Sequence, residues 1–143
     1  MSHDEAQIRT MIHEWAAAVR AGDLDRVLAG HTADIVMFDV PPPQQGVRGI
    51  DAYRQTWPPF FTWLASGAAF DIVELEVTAG ADVAFAHALL RCASPQALAA
   101  QPDGRLRLTL GLRKEDERWV IAHEHHSFPD TTVADPTAAL PVH

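Results

Sequence analysis

Residues Arg105–Phe128 read RLRLTLGLRKEDERWVIAHEHHSF. The first half alternates with a period of two: Leu106, Leu108, Leu110 and Leu112 fall on one face of a strand, and Arg105, Arg107, Thr109, Gly111 and Arg113 fall on the other. A turn at Glu115–Glu117 leads into a second strand, Arg118–Phe128, which returns along the first. A turn centred there pairs Arg113 with Trp119, Gly111 with Ile121, Thr109 with His123 and Arg107 with His125. Residues opposed across a ladder share a face. Arg107, Thr109, His123 and His125 thus form one polar cluster, while His126 points the other way, with the leucines. Histidines in this pattern admit three readings: metal ligands, catalytic groups, or polar aromatic residues of an ordinary strand. The leucine face needs a cover, and a second copy of the chain is the simplest one.

Upstream, Ser2 and Glu5 have the spacing of a capping box and open a helix. Ile8, Met11, Ile12, Trp15 and Val19 form its apolar stripe, Gly22 ends it, and Asp23 caps a short second helix. "DIVMFDV" (34–40) is a strand stopped by "PPPQQG" (41–46). Ile50, Tyr53 and Trp57 mark a third helix, which Pro58 and Pro59 should break before "FFTWLAS" (60–66) adds one or two more turns. "AFDIVELEVT" (69–78) and "DVAFAHALLRCA" (82–93) are strands, and "SPQALAAQPDG" (94–104) is a loop. Helices followed by a run of antiparallel strands define an α+β fold. Residues 1–129 form one domain, and the tail 130–143, which has no periodicity, is expected to fray.

The chain has 143 residues, suited to a single core, and a formal net charge of −8. That charge argues against a nucleic-acid partner, whose phosphates need a basic patch, and against an anionic membrane surface. No apolar run is long enough to span a bilayer. The polar start "MSHDEAQIR" does not read as a signal peptide, and the single Cys92 has no partner for an internal disulfide, so a cytoplasmic setting is expected.

Two segments carry a family resemblance. "AGDLDRVLAGHTADIVMFDVPPPQQGVRGIDAYRQTW" (21–57) resembles the N-terminal half of the NTF2-like superfamily, which includes ketosteroid isomerases and SnoaL-like polyketide cyclases. "RLTLGLRKEDERWVIAHEHHSFP" (107–129) is similar to the C-terminal hairpin of the SnoaL-like branch. The resemblance implies a cystatin-like cone: a curved antiparallel sheet wrapped on three N-terminal helices and open at one end to an apolar pocket. The fold alone does not specify a function, because enzymes, binders and assembly modules share it. Carried over by position, the pocket set is Trp15, Asp39, Trp57, His87, Leu89, Arg91, Thr109, His123 and His125. Phe38 and Tyr53 add aromatic wall, and Arg107 belongs to the polar cluster already described.

Asp39 matches the general base of the isomerases. A carboxylate facing an apolar cavity can take a proton from carbon next to a carbonyl. The enolate that results needs donors. The isomerase donors, which for ketosteroid isomerase are a tyrosine and a protonated aspartic acid, fall here on Trp15 and on Thr109 or Leu110. That departure argues against true ketosteroid isomerisation and leaves His123, His125 and His87 as replacement donors. The residues alone allow plainer roles: Asp39 as a turn residue, His87 as a hydrogen-bonded strand residue. A zinc site on His123 and His125 with His87 or Asp39 is a further option. The neighbouring Arg91 and Arg107 would repel a cation, and the resembling families work mostly without a metal, so neither a metal nor another cofactor is expected. The two arginines fit a ligand carboxylate or, the plainer reading, internal ion pairs with Glu74 or Glu76. The expectation is a homodimer, joined through the outer sheet face, that binds a small apolar or aromatic molecule bearing a carbonyl or carboxylate. It is either an acid–base enzyme of isomerase, cyclase, dehydratase or hydrolase type, or a non-catalytic ligand-binding or oligomeric assembly module of the same fold.

Overall fold

The computed structural model describes residues 2–135 and 137. Helix α1 (His3–Ala21) begins at the capping box: Ser2 Oγ accepts the Glu5 N–H at 3.0 Å, and the Glu5 carboxylate accepts the Ser2 N–H at 3.2 Å. It ends at Gly22, whose φ of 66° suits glycine best. Asp23 caps α2 (Leu24–Leu28). The chain continues through β1 (His31–Phe38), β2 (Val47–Arg48), α3 (Ile50–Ala65), β3 (Ala69–Ala79), β4 (Val83–Ala93), α4 (Pro95–Ala100), β5 (Leu106–Glu115) and β6 (Arg118–Ser127). The expected fraying of 130–143 concerns a segment in which residue 136 and residues 138–143 lie outside those described.

Two local expectations are corrected. Pro58 and Pro59 do not break α3. They remove the donors for the carbonyls of Arg54 and Gln55, but all four residues are exposed, so water can satisfy those oxygens, and the proline φ is already helical. The segment 94–104 is not wholly loop: Ser94 Oγ accepts the Ala97 N–H at 3.1 Å and caps α4.

The sheet has six strands in the order β2-β1-β6-β5-β4-β3. The run β3 to β6 is antiparallel throughout, as expected. β1 departs from it, lying parallel to β6. It arrives from the helices rather than through a hairpin, so no tight turn fixes its direction.

The β5–β6 hairpin closes through Asp116 and Glu117 alone, with φ of 52° and 64°, one residue tighter than the sequence suggested. Lys114 pairs with Trp119 and Leu112 with Ile121; then Gly111 pairs with His123, so Ala122 is an extra residue, a β-bulge. Near the turn this corrects the expected register: Trp119 and Ile121 join the leucine side and are buried. Past the bulge the register is displaced from expectation by two residues in total, which preserves the faces. Thr109 meets His125, Leu110 meets Glu124, and Leu108 meets His126.

The leucine face is the inner one. Leu106, Leu108, Leu110 and Leu112 share a single core with Ile8, Ile12, Trp15 and Val19 of α1 and Tyr53 and Trp57 of α3. The chain's own helices thus supply the cover that a second copy was expected to give. The outer face carries Arg107, Thr109, His125, His87 and Phe85, all exposed.

Leu108→Ala should therefore cost about 2–5 kcal/mol in urea denaturation. Thr109→Ala, one residue away on the outer face, should stay within about 0.5 kcal/mol. Equal losses at the two positions would contradict the assignment of faces.

Candidate functional site

β6 places two polar side chains among the leucines of the inner face, Glu124 and His126. Glu124 is fully buried, and three groups donate to it: His31 Nε2 and the Tyr53 hydroxyl each lie 2.6 Å from Oε2, and His126 Nε2 lies 2.9 Å from Oε1. The Tyr53 oxygen also accepts from the Trp15 indole N–H at 3.4 Å. β1, α3 and β6 thus meet on one carboxylate, and α1 reaches it through Tyr53.

His126 connects this cluster to a cavity of about 340 Å³. The cavity wall is mostly apolar, built from Met37, Trp57, Phe60, Phe70 and Leu106, with Trp63, Val40 and Phe128 partly exposed around it. Asp39, which follows β1 directly, joins the wall, as do Thr56 and Cys92. Asp39 Oδ1 stands 3.8 Å from His126 Nδ1 and accepts the Val40 N–H at 2.8 Å.

The electrostatics follow from the geometry. Burial by itself favours the neutral acid at Glu124, but the hydrogen bonds and charges of His126 and His31 outweigh it and hold the pKa down at about 2. Burial by itself also lowers His126, yet the Glu124 hydrogen bond and the charges of Glu124 and Asp39 leave its pKa raised. Burial, reinforced by Glu124, pushes the Tyr53 phenol well up, so it stays a donor. Burial and Asp39 push the Cys92 thiol up to about 12, which keeps it protonated and a poor nucleophile.

Of the residues singled out from sequence, the structure brings Asp39 and Trp57 to the cavity and places Trp15 and Tyr53 in the core behind it. It does not bring His87, His123, His125, Arg91, Arg107, Thr109 or Leu89 there; they lie on the outer face, because their alternation is that of the residues opposite the leucines. Phe38 is also outside, its ring 5.2 Å from that of His123 and 5.6 Å from that of His125. Arg107 donates to Ser127 Oγ, and neither it nor Arg91 forms an ion pair among the described residues, so the pairing with Glu74 or Glu76 is not made. His126 had been set outside the pocket and lines it instead. Glu124 and His31 were missed. Glu124 alternates with His125 and so falls on the leucine face; a lone acid there, facing apolar residues, was the available signal. Among the described residues no group of three or more His, Cys, Asp and Glu is arranged to hold a metal ion, and no helix is long and apolar enough to cross a membrane.

This architecture recurs in known proteins. The SnoaL-like domain family matches residues 8–131, and the chain belongs to it. An NTF2-like protein of unknown function from Pseudomonas putida KT2440 is 32% identical, with 88% of this chain and 87% of that one covered at a TM-score of 0.78. An NTF2-like protein with a cystatin-like fold from Novosphingobium aromaticivorans superposes at a TM-score of 0.69 over 89% of this chain and 83% of that one, with 17% identity. A ketosteroid isomerase-like protein from Erwinia carotovora atroseptica SCRI1043 does so at 0.63 over 91% and 99%, with 19% identity. The last two show the shared fold. No curated protein matches the chain.

Two measurements check the cluster. Tyr53→Phe removes one donor from a buried carboxylate and should destabilise the protein by about 1–3 kcal/mol in chemical denaturation; an unchanged midpoint would mean that the phenol does not support Glu124. The second is pH dependence. A raised histidine pKa stabilises the fold fully below its ordinary value of 6.5, and the contribution fades as pH rises through the elevated pKa. A depressed glutamate contributes above its ordinary 4.5 and is lost as pH falls towards about 2. The stability advantage of the native protein over His126→Gln should therefore shrink as pH rises above 6.5. An advantage that grows with pH would refute the assignment.

Proposed function

We propose that this SnoaL-like protein binds a small, largely apolar molecule in the cavity and performs acid–base chemistry next to a carbonyl, with Asp39 and His126 handling the proton. The observation that carries the reading is the pairing of these two titratable groups, 3.8 Å apart, in a mostly apolar wall. The pKa of His126 is raised, and a perturbed titratable group in an apolar pocket is a mark of a functional site.

The chemistry follows directly. The Asp39 carboxylate takes a proton from carbon adjacent to the ligand carbonyl. The C–H electron pair moves into the carbonyl, and His126 Nδ1–H donates to the oxyanion that forms. Returning the proton to a different carbon gives isomerisation; attack of the enolate on a second carbonyl gives cyclisation. His126 thus takes the donor role that the sequence alone suggested for His87, His123 and His125. One observation favours a non-catalytic binder: Asp39 Oδ1 is already engaged by the Val40 N–H.

Thermal shift separates these readings when joined to hydrogen exchange. A panel of cyclic ketones and phenols should contain compounds that raise the melting temperature; a ligand at a hundred times its dissociation constant adds about 2.7 kcal/mol. A ketone that binds should exchange its α-hydrogens for deuterium in D₂O. Asp39→Asn should slow that exchange by about 100-fold or more. Binding with exchange indifferent to Asp39 would remove the enzymatic reading and leave the carrier.

A further inference from the structure

We infer that Glu124, which does not itself line the cavity, is the positioning residue for His126: it takes the Nε2–H and so presents Nδ1 to the ligand opposite Asp39. This rests on the reading of the cavity as a small-molecule site and adds the kind of polar group that site accepts.

The geometry fixes the arrangement from behind. A carboxylate only accepts hydrogen bonds, so the imidazole nitrogen 2.9 Å from Glu124 Oε1 must carry a proton. The carboxylate cannot swing away, because His31 and Tyr53 both hold Oε2 at 2.6 Å. With Nε2 committed, the remaining nitrogen is Nδ1. It lies 3.8 Å from Asp39 Oδ1, beyond hydrogen-bond length, so it is directed at the carboxylate without being consumed by it. A ring anchored through one nitrogen by a buried acid, with the other facing a reaction space, is a general way of orienting a catalytic imidazole.

The charges facing His126 point the same way. Glu124 lies on its own strand, Asp39 follows β1, and Cys92 of β4 faces Asp39 as a neutral thiol. Among the described residues, neither lysine nor arginine lines the cavity. Glu124 is already engaged by His31, Tyr53 and His126, and at the cavity itself His126 faces the Asp39 carboxylate. The polar end of the cavity therefore offers one donor beside one carboxylate acceptor, with no lysine or arginine to pair with a further anion. It fits a neutral group that carries an acceptor oxygen next to an acidic hydrogen, such as an enolisable ketone or a phenol. A ligand carboxylate, which Arg91 and Arg107 had suggested, loses its partners, since both arginines are on the outer face.

The test is a pH titration of the imidazole nitrogens of ¹⁵N-labelled protein by long-range proton–nitrogen NMR, with His126 assigned by its loss in His126→Gln. The neutral His126 ring of the native protein should be the Nε2–H tautomer. Glu124→Gln should lower the proton affinity of His126 about tenfold or more, one pKa unit. An Nδ1–H tautomer in the native protein overturns the proposal whether or not the Glu124 variant folds. So does a titration that Glu124→Gln leaves unmoved. These spectra need no ligand, so the positioning role stands or falls separately from the cavity's function. A matched pair reads the selectivity: 2-naphthol should bind about tenfold or more tightly than 2-naphthoate by thermal shift. Naphthoate binding as tightly would overturn the charge argument, and neither compound nor any of the ketones binding would remove the small-molecule reading while leaving the NMR result intact.

Discussion

One buried carboxylate organises this molecule. An ionised acid without partners in a protein interior is costly by several kcal/mol, so Glu124 is tolerated only because three donors converge on it. Each donor comes from a position set by different means. His31 opens β1, Tyr53 sits in the first turn of α3, and His126 is two residues along the same strand as Glu124. The hydrogen bonds therefore tie the helical layer to the sheet through groups whose geometry is directional, where the surrounding leucines and aromatics supply burial but little orientation. Trp15 extends the chain of bonds into α1. The cavity begins where this network stops, at the far nitrogen of His126.

Much of the fold was legible in the sequence because its signals are local. A capping box, a left-handed glycine and an aspartate cap need only a few neighbouring residues to act, and α1 and α2 appear where those residues put them. Strand alternation is equally local, so β3 to β6 were readable. The proline pair misled because the cost of a missing helical bond depends on whether water reaches the orphaned carbonyl, and that depends on which side of α3 faces out. The direction of β1 was out of reach for a related reason: no short connection links it to β6.

The site was legible only in part, and the obstacle was symmetry. Alternation divides a strand into two faces without saying which one meets the helices. The polar face of β5 and β6, rich in histidine, has the look of chemistry, and the leucine face has the look of an interface. The apolar stripe of α1 decides the matter, since only leucines can bury it without leaving polar groups unpaired. Asp39 was identified by its match to the general base of the isomerases, and it lines the cavity. Glu124 and His126 were hidden because parity assigns them to a face that sequence reasoning had given away.

The bulge at Ala122 has a further consequence. Solvent-facing turns are normally where proteins absorb insertions and deletions. In this hairpin the tight turn and the single unpaired alanine each contribute one step of register, and together they set which of four consecutive residues, His123 to His126, look inward. Length changes of one residue between Leu112 and His123 would exchange the interior and exterior sets, leaving two histidines among the leucines and a carboxylate in water. The hairpin's reach is thus counted in single residues, and its descendants can vary the letters of this segment far more freely than their number.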